Sequence, residues 1–411
     1  MKESNCLIVA SIFAPIRGGS ATVYENIARL SGDRRAAVLA TWRHYGTGME
    51  IDGWREHDAR CGYPVSRLEL LRPRILPPPR NKLVSVWRQL ATDIPLKLKV
   101  AVSALKLVKE HGIGVVCIGE LVSGAWIGHL LRRMTGAKLV FYVHGEEITT
   151  RYATGSFGAK RLKTLQGADA IVAVSRFTAD TLEKDFGVRR DRIFLIPNGV
   201  DTERFTSGSD DGLLRNRYNL GSGPIILCVG RLVPRKGFDQ TIRAMPAVLD
   251  RVPDARLVIV GEGDQMEELK GIAASLGVAD KVCFTGPVSQ EDLVRAYRAS
   301  ALFAMPNRTM PDGDTEGFGL VFLEANACGR TVVGGRAGGA VDAIVDRETG
   351  LLVNGEDVQD IANAIIAILT DVPLRTSLEK GGLEHARAND WRARAKIFRG
   401  MCERLVGGGA P

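Results

Sequence analysis

The sequence predicts an α/β protein of two Rossmann-like domains in succession, their parallel sheets facing a central cleft. Three observations carry that expectation. Short apolar runs rich in β-forming residues alternate with amphipathic stretches along the whole chain. The runs are apolar without period-two alternation, which is how strands buried on both faces of a helix-covered parallel sheet read. The series also restarts after the polar stretch SGSDDGLLRNRYNLGSGP (207–224), and 411 residues exceed what one core usually serves.

Taken in order, the first series is CLIVASIF, AAVLATW, GVVCIG, KLVFYVHG, AIVAVS and RIFLIPNG. The second is PIILCVG, ARLVIVG, KVCFTG, ALFAMP, TVVGG and GLLV. The opening run follows a lysine and an acid, ends in Pro15 and lacks a small-x-small cleavage site, so it reads as a first strand rather than a secretory signal. Domains of 1–203 and 204–388 follow. The segment NDWRARAKIFRGMCERLV has helical periodicity and makes 389–411 a C-terminal helix packing back on the first domain.

Composition narrows the class. Hydrophobic content of 45% and charged content of 25% are ordinary for a globular chain, and no apolar run reaches the roughly 18 residues of a membrane span. The seven cysteines form no CxxC and four lie inside strand-like runs, as reduced core residues of a cytoplasmic protein do. A net charge of +8 points to anionic partners: nucleotide phosphates, an acidic lipid surface or nucleic acid. Nucleic acid is disfavoured because the basic segment carries no recognition motif. The excess concentrates in RLELLRPRILPPPRNKLVSVWRQL (67–90) and KLKVAVSALKLVKEHG (97–112), which mix cations with Leu, Val and Trp87. Such a 67–112 region fits a solvated face with snorkelling stems, and it also fits a patch lying on an anionic membrane.

Four stretches bear chemistry. After the first strand, APIRGGSATVYENIARL sets Gly18 and Gly19 before a helix that Ser20 or Thr22 is placed to cap, where backbone N–H groups can meet an anion. In CVGRLVPRKGF a buried strand ends in Gly230, and Arg231 and Lys236 follow at a spacing that can clamp a diphosphate and offset the charge growing on a leaving group. VHGEE puts His144 at a strand end, where it can donate to a hydroxyl or a developing charge. In DGDTEGFGLVFLEANACG the apolar pattern from Leu320 to Ala327 predicts a helix. Glu316 precedes it and Glu324 lies about one and a half turns inside, so the two address different parts of one ligand. VIVGEGDQMEELK lacks the third glycine of a dinucleotide fingerprint, Met266 standing there, which excludes a dehydrogenase reading. The DGD at 312–314 resembles a metal-holding aspartate pair, but the nearby cations already supply positive charge, so a solvated loop and no metal are expected.

Together RGGS, VHGEE, VSRFT, IPNGVD, VGRLVPRKG, VGEGDQ, FTGPVSQEDL, EGFGLVFLEANACG, GGAVDAI and GLLV resemble, in order, the family 4 glycosyltransferases of the GT-B fold. The EGFGLVFLEANACG region looks closest to bacterial α-mannosyltransferases of the phosphatidylinositol-mannoside type. The resemblance implies a retaining, metal-independent transfer of a hexose from a nucleoside-diphosphate sugar, GDP-mannose before UDP-sugars, to a lipid-linked or glycan acceptor, and no cofactor. It implies that Arg231 and Lys236 hold the diphosphate with Gly18, Gly19 and Gly230. His144 would contact the sugar at the transfer centre, Glu316 the sugar hydroxyls and Glu324 the ribose. Backbone amides of Gly317, Phe318, Gly319 and Leu320 would complete the pocket, with the base near Val282 to Pro287. A first, acceptor domain and a second, donor domain follow, with the enzyme cytoplasmic or peripheral on the inner membrane face.

Three other functions share part or all of this motif set. A transferase acting on a soluble metabolite or natural product shares every motif. A sugar-nucleotide 2-epimerase of the same fold would convert the donor without any acceptor, and the full E-x7-E and RL…KG set opposes it. A non-catalytic nucleotide-sugar-binding protein is opposed by the same completeness.

Overall fold

A computed structural model describes residues 4–16, 18–32, 35–75, 82–150 and 155–408. The first sheet holds β1 (Cys6–Val9), β2 (Ala36–Thr41), β3 (Val65–Leu68), β4 (Val115–Ile118), β5 (Lys138–Val143), β6 (Ala170–Ala173) and β7 (Ile193–Leu195). Its order is β3-β2-β1-β4-β5-β6-β7, and every pairing is parallel. The second holds β8 (Ile225–Val229), β9 (Arg256–Val260), β10 (Val282–Gly286), β11 (Leu302–Met305), β12 (Thr331–Gly335) and β13 (Gly350–Val353), ordered β10-β9-β8-β11-β12-β13 and again parallel. Two doubly wound domains result, as the unalternating apolar runs predict. In β1, Cys6 and Ile8 enter one core cluster while Leu7 and Val9 enter another, so the strand is covered on both faces.

One strand lies outside the expected set. β3 carries Ser66 and Arg67 in its middle, and its edge position lets it be half polar. The Arg67 side chain is only 2% exposed, held by Asp58 at 2.7 Å. The helix after β1, α1 (Gly19–Leu30), also departs from expectation: Gly18 is its N-cap residue and no side chain caps it. Thr22 instead donates its hydroxyl to the Gly18 carbonyl at 3.0 Å, one turn back. All seven cysteines are free thiols.

After β2 come α2 (Trp54–Arg60), α3 (Lys82–Arg88) and α4 (Ile94–Glu110), the last two joined by a π-helical turn, Gln89–Asp93. α4 buries Val100, Ala104 and Leu107 on one side. Its opposite side, continued from α3, exposes Leu83, Trp87, Leu90, Ile94, Leu98 and Val102. The C-terminal helix Trp391–Gly407 returns to the first domain and lies against α1, burying Trp391, Ala395, Phe398 and Met401. Two chain passages meet at this crossing: the Val200 amide donates to Asn389 O and the Trp391 amide to Val200 O. Among the described residues no single helix is long and apolar enough to cross a membrane.

Candidate active site

Parallel strands send their connections out at the carboxyl ends, and both sheets point these ends into the space between the domains. From β1 the chain delivers Gly18 and Gly19 at the start of α1; a Cβ built on Gly19 would lie 3.7 Å from the Leu320 side chain of the second domain. β5 delivers His144 and Gly145. β8 delivers Gly230, Arg231 and, at the end of a short 3-10 turn, Lys236. The loop after β11 delivers Glu316 and the glycine pair that starts the helix Leu320–Ala327, whose bounds are those expected.

The domains touch here closely. A Cβ on Gly317 would sit 1.7 Å from the His144 carbonyl oxygen, and one on Gly313 2.0 Å from the Thr149 carbonyl oxygen. Only glycine lets these backbones approach so far, and the requirement comes from the opposite domain. Arg176 and Asp342 add a polar link across the cleft, the Arg176 amide donating to the carboxylate at 2.6 Å.

Charge at the centre is matched inside the site. Lys236 Nζ stands 2.5 Å from Glu316 Oε2. Burial pushes the Glu316 carboxyl up, but Lys236 and Arg235 outweigh it, and its pKa falls below the ordinary value. Arg235, which sequence reasoning passed over although it lies inside RLVPRKG, is the more enclosed arginine: 11% exposed, 3.0 Å from Asp314 and 3.5 Å from Glu146. Arg231 is 61% exposed and reaches Glu146 at 3.9 Å. Glu146 thus spans from the first domain to both arginines of the second. The expectation of a solvated DGD loop is corrected: Asp314 is an arginine partner and Gly313 packs against the first domain.

Glu324 points elsewhere, accepting from the Tyr297 hydroxyl at 2.9 Å. Burial raises its pKa to about 7. His144 lies between Tyr24 and Tyr142, with ring centroids 5.4 and 5.3 Å away, and burial lowers its pKa to about 4, leaving a neutral imidazole. Val282 is misplaced by the sequence reading. It opens β10 at the amino end, roughly 13 Å from the cleft at about 3.3 Å per residue, whereas Gly286 closes that strand at the cleft. Phe318 is buried, so only its backbone can serve a ligand. Gly319 takes φ +88° as the N-cap of its helix.

A second cluster lies behind the glycine loop. His57, Asp58 and Cys61 bring ligand-type atoms within 4.8 Å of one another. Both His57 nitrogens already face carboxylates, Asp58 at 3.0 Å and Glu25 at 3.1 Å, and Arg67 grips Asp58. Cys61, Glu25 and Asp58 raise the His57 pKa to about 10 against the opposing effect of burial, so the ring is an imidazolium clamp between α1 and α2.

Comparison with known proteins agrees with this geometry. Residues 213–385 match the family described as glycosyl transferases group 1, and residues 59–204 match glycosyltransferase family 4. The chain is 36% identical over 405 residues to the GDP-mannose-dependent alpha-(1-6)-phosphatidylinositol monomannoside mannosyltransferase of Mycolicibacterium smegmatis, covering 98% of each chain. It is 36% identical over 283 residues to a D-inositol 3-phosphate glycosyltransferase of Acidothermus cellulolyticus, covering 64% of this chain and 61% of that one. Among solved structures, HepE from Anabaena in complex with UDP and glucose superposes with a TM-score of 0.75 at 21% identity, covering 97% of this chain and 98% of that one. Sucrose-phosphate synthase from Thermosynechococcus elongatus gives 0.76 at 23%, covering 98% and 100%. With paired parallel sheets, a cationic centre at their carboxyl ends and relatives matched along nearly their whole length, the chain belongs to the group 1, family 4 glycosyltransferases of the GT-B fold.

Proposed function

We propose that this glycosyltransferase moves mannose from GDP-mannose to a phosphatidylinositol-based, lipid-linked acceptor, with retention at the anomeric carbon and without a metal. The observation that carries the reading is the cationic group of Arg231, Arg235 and Lys236 at the end of β8, whose two arginines face Glu146, two residues beyond His144 in the first domain. Arg231, Arg235 and Lys236, although paired with Glu146, Asp314 and Glu316, suit with a helix N-terminus a diphosphate that gains charge as it leaves, so this reading invokes no divalent ion. In this reading the second domain binds the donor: Arg231, Lys236, Gly230, Gly18 and Gly19 hold the diphosphate, with amides from Gly317 to Leu320. Glu316 and His144 hold the sugar, Glu324 the ribose. The base lies along the cleft end of β10, at Phe284 to Pro287 rather than at Val282.

Retention follows from same-face attack. The bond between the anomeric carbon and the phosphate oxygen breaks with its electron pair going to the phosphate. The acceptor oxygen then bonds to the same face, and its proton passes to the departing phosphate oxygen. Glu316 is tied to Lys236 and Glu324 to Tyr297, so both suit hydrogen bonding better than covalent attack.

The acceptor belongs to the first domain. A small recess lies at the ends of β1 and β4, with Ser11, Glu120 and Ser123 on its polar side and Leu71, Val100 and Trp126 on its apolar side. α4, whose Val100 lines it, carries the exposed apolar face on its outer side, with Lys99 and Lys106 exposed beside it. A helix of this kind suits an anionic bilayer, from which a lipid acceptor would come. The D-inositol 3-phosphate relatives favour a second reading, a soluble polyol phosphate acceptor.

The test uses the purified full chain. GDP-mannose, and not UDP-glucose, is expected to raise the melting temperature, and GDP release is expected to need vesicles containing phosphatidylinositol mannoside. GDP release with inositol phosphate alone would establish the second reading. Stabilisation only by UDP-sugars would overturn the donor.

A further inference from the structure

The Tyr24 hydroxyl makes two contacts of 2.6 Å, one to the Gly119 carbonyl oxygen and one to Nε2 of His144. A phenol has one proton, and a carbonyl oxygen can only accept. Two oxygens 2.6 Å apart need that proton between them, so Tyr24 donates to Gly119. The contact with His144 then requires a hydrogen on Nε2, donated to the phenol oxygen.

Independent geometry supports the arrangement. Gly119 follows β4, and a Cβ there would lie 2.5 Å from Cζ of Tyr24 and 2.7 Å from its hydroxyl, so a glycine is needed for the phenol to reach that carbonyl. The ring of Tyr24 is fully buried and packs edge-on to both Tyr142 and His144. Its own pKa is raised by burial, which keeps the phenol proton in place.

We infer that Tyr24 is a positioning residue that fixes His144 as the Nε2–H tautomer and leaves Nδ1 a bare lone pair. In a neutral ring, only one nitrogen carries hydrogen. His144 therefore meets the donor sugar as a hydrogen-bond acceptor, taking a proton-bearing hydroxyl, and it has no hydrogen on Nδ1 to give a phosphate or a leaving oxygen. This reverses the donor role that the strand-end position alone suggests. It also gives the site a preference: a sugar with that hydroxyl removed or methylated loses the contact, while the diphosphate contacts remain. The inference rests on His144 contacting the donor sugar, as proposed above, but the tautomer itself does not depend on which sugar or acceptor is used.

Ring-nitrogen NMR on the full chain labelled with ¹⁵N-histidine tests it, with the His144 signals identified by their loss in His144→Gln. In the free protein Nε2 is expected to carry the proton and Nδ1 to resonate as an unprotonated nitrogen. A proton on Nδ1 overturns the inference, whatever the enzyme's substrate proves to be. On adding GDP-mannose, the Nδ1 resonance is expected to shift as it accepts a hydrogen bond while Nε2 stays protonated; transfer of the proton to Nδ1 would also overturn it. Tyr24→Phe keeps the ring packing and removes the acceptor. It is expected to populate both tautomers and to lower kcat roughly 10-fold, the worth of one hydrogen bond of about 1.4 kcal/mol, and to lower the melting temperature because the buried Gly119 carbonyl loses its donor. An unchanged tautomer in Tyr24→Phe would assign the selection to another group and overturn the role given to Tyr24.

Discussion

Lys236 and Glu316 stand 2.5 Å apart with side chains 11 and 13% exposed, so each is the other's principal counter-charge. Removing one partner of an enclosed pair leaves an uncompensated charge, which typically costs about 3–5 kcal/mol. Lys236→Ala is therefore expected to lower the melting temperature as well as abolish turnover. The paired variant Lys236→Met/Glu316→Gln is expected to restore the melting temperature and leave turnover lost, which separates folding from chemistry. Glu324 offers the opposite case. Its folded pKa, near 7, lies above the ordinary carboxyl value, so between those values the native state holds a proton the unfolded chain has released. Its contribution to stability thus falls as pH rises and is most unfavourable above pH 7. Glu324→Gln is expected to melt higher than the parent at pH 8, by on the order of 1 kcal/mol, with the gain shrinking towards pH 5 in calorimetry, while affinity for the nucleotide drops. Lys236, Glu316 and His144 stood out in the sequence because each lies in a short motif on a loop beyond a strand, and Glu324 because it follows Glu316 at a set spacing within a helix. Tyr24, Glu146 and Arg235 did not. Tyr24 occupies an ordinary core position of α1, and its value comes from Gly119 and His144, which are distant in sequence and adjacent only through the strand order.

At the scale of elements, α4 stands out because both of its faces are apolar, and α3 continues its exposed one. Leu83, Trp87, Leu98 and Val102 are 79, 68, 62 and 67% exposed, far more than isolated surface residues would explain, and they recur at helical spacing. Trp87→Glu/Leu98→Glu is expected to abolish co-sedimentation with vesicles rich in phosphatidylinositol and to leave turnover of a water-soluble acceptor analogue unchanged. Retained sedimentation would remove this face as the docking element. The composition of 67–112 raised this question without answering it, because a basic, leucine-rich run reads alike whether its apolar residues face a core or solvent. α2 makes a second prediction. His57 has its pKa raised to about 10 by contacts with Cys61, Glu25 and Asp58, so the stabilisation it gives is complete below about pH 6.5 and is lost as pH rises towards 10. His57→Gln is expected to melt well below the parent at pH 6 and to approach it by pH 10, measured by thermal denaturation across that range. β3 escaped prediction for a related reason: an edge strand with Arg67 buried at its middle breaks the apolar pattern on which strand assignment relies.

For the whole molecule, the two-domain plan was readable from the repeat of apolar runs, and the way the halves meet was not. Gly317 illustrates why: its Cβ would collide with a carbonyl of the other domain, a constraint no local pattern encodes. Gly317→Ala is expected to fold, to hold the cleft open with a larger radius of gyration in solution scattering, and to lose most turnover; an unchanged radius with full activity would show that this approach is dispensable. The crossing at Val200 and Asn389 has a different consequence. The first domain is finished by the C-terminal helix, which covers α1 only after the whole second domain has been made. At synthesis rates of about 5–20 residues per second, the apolar side of α1 would wait tens of seconds on the ribosome for its cover. The half that emerges first is thus completed last, and in the interval it is a surface for a chaperone to guard.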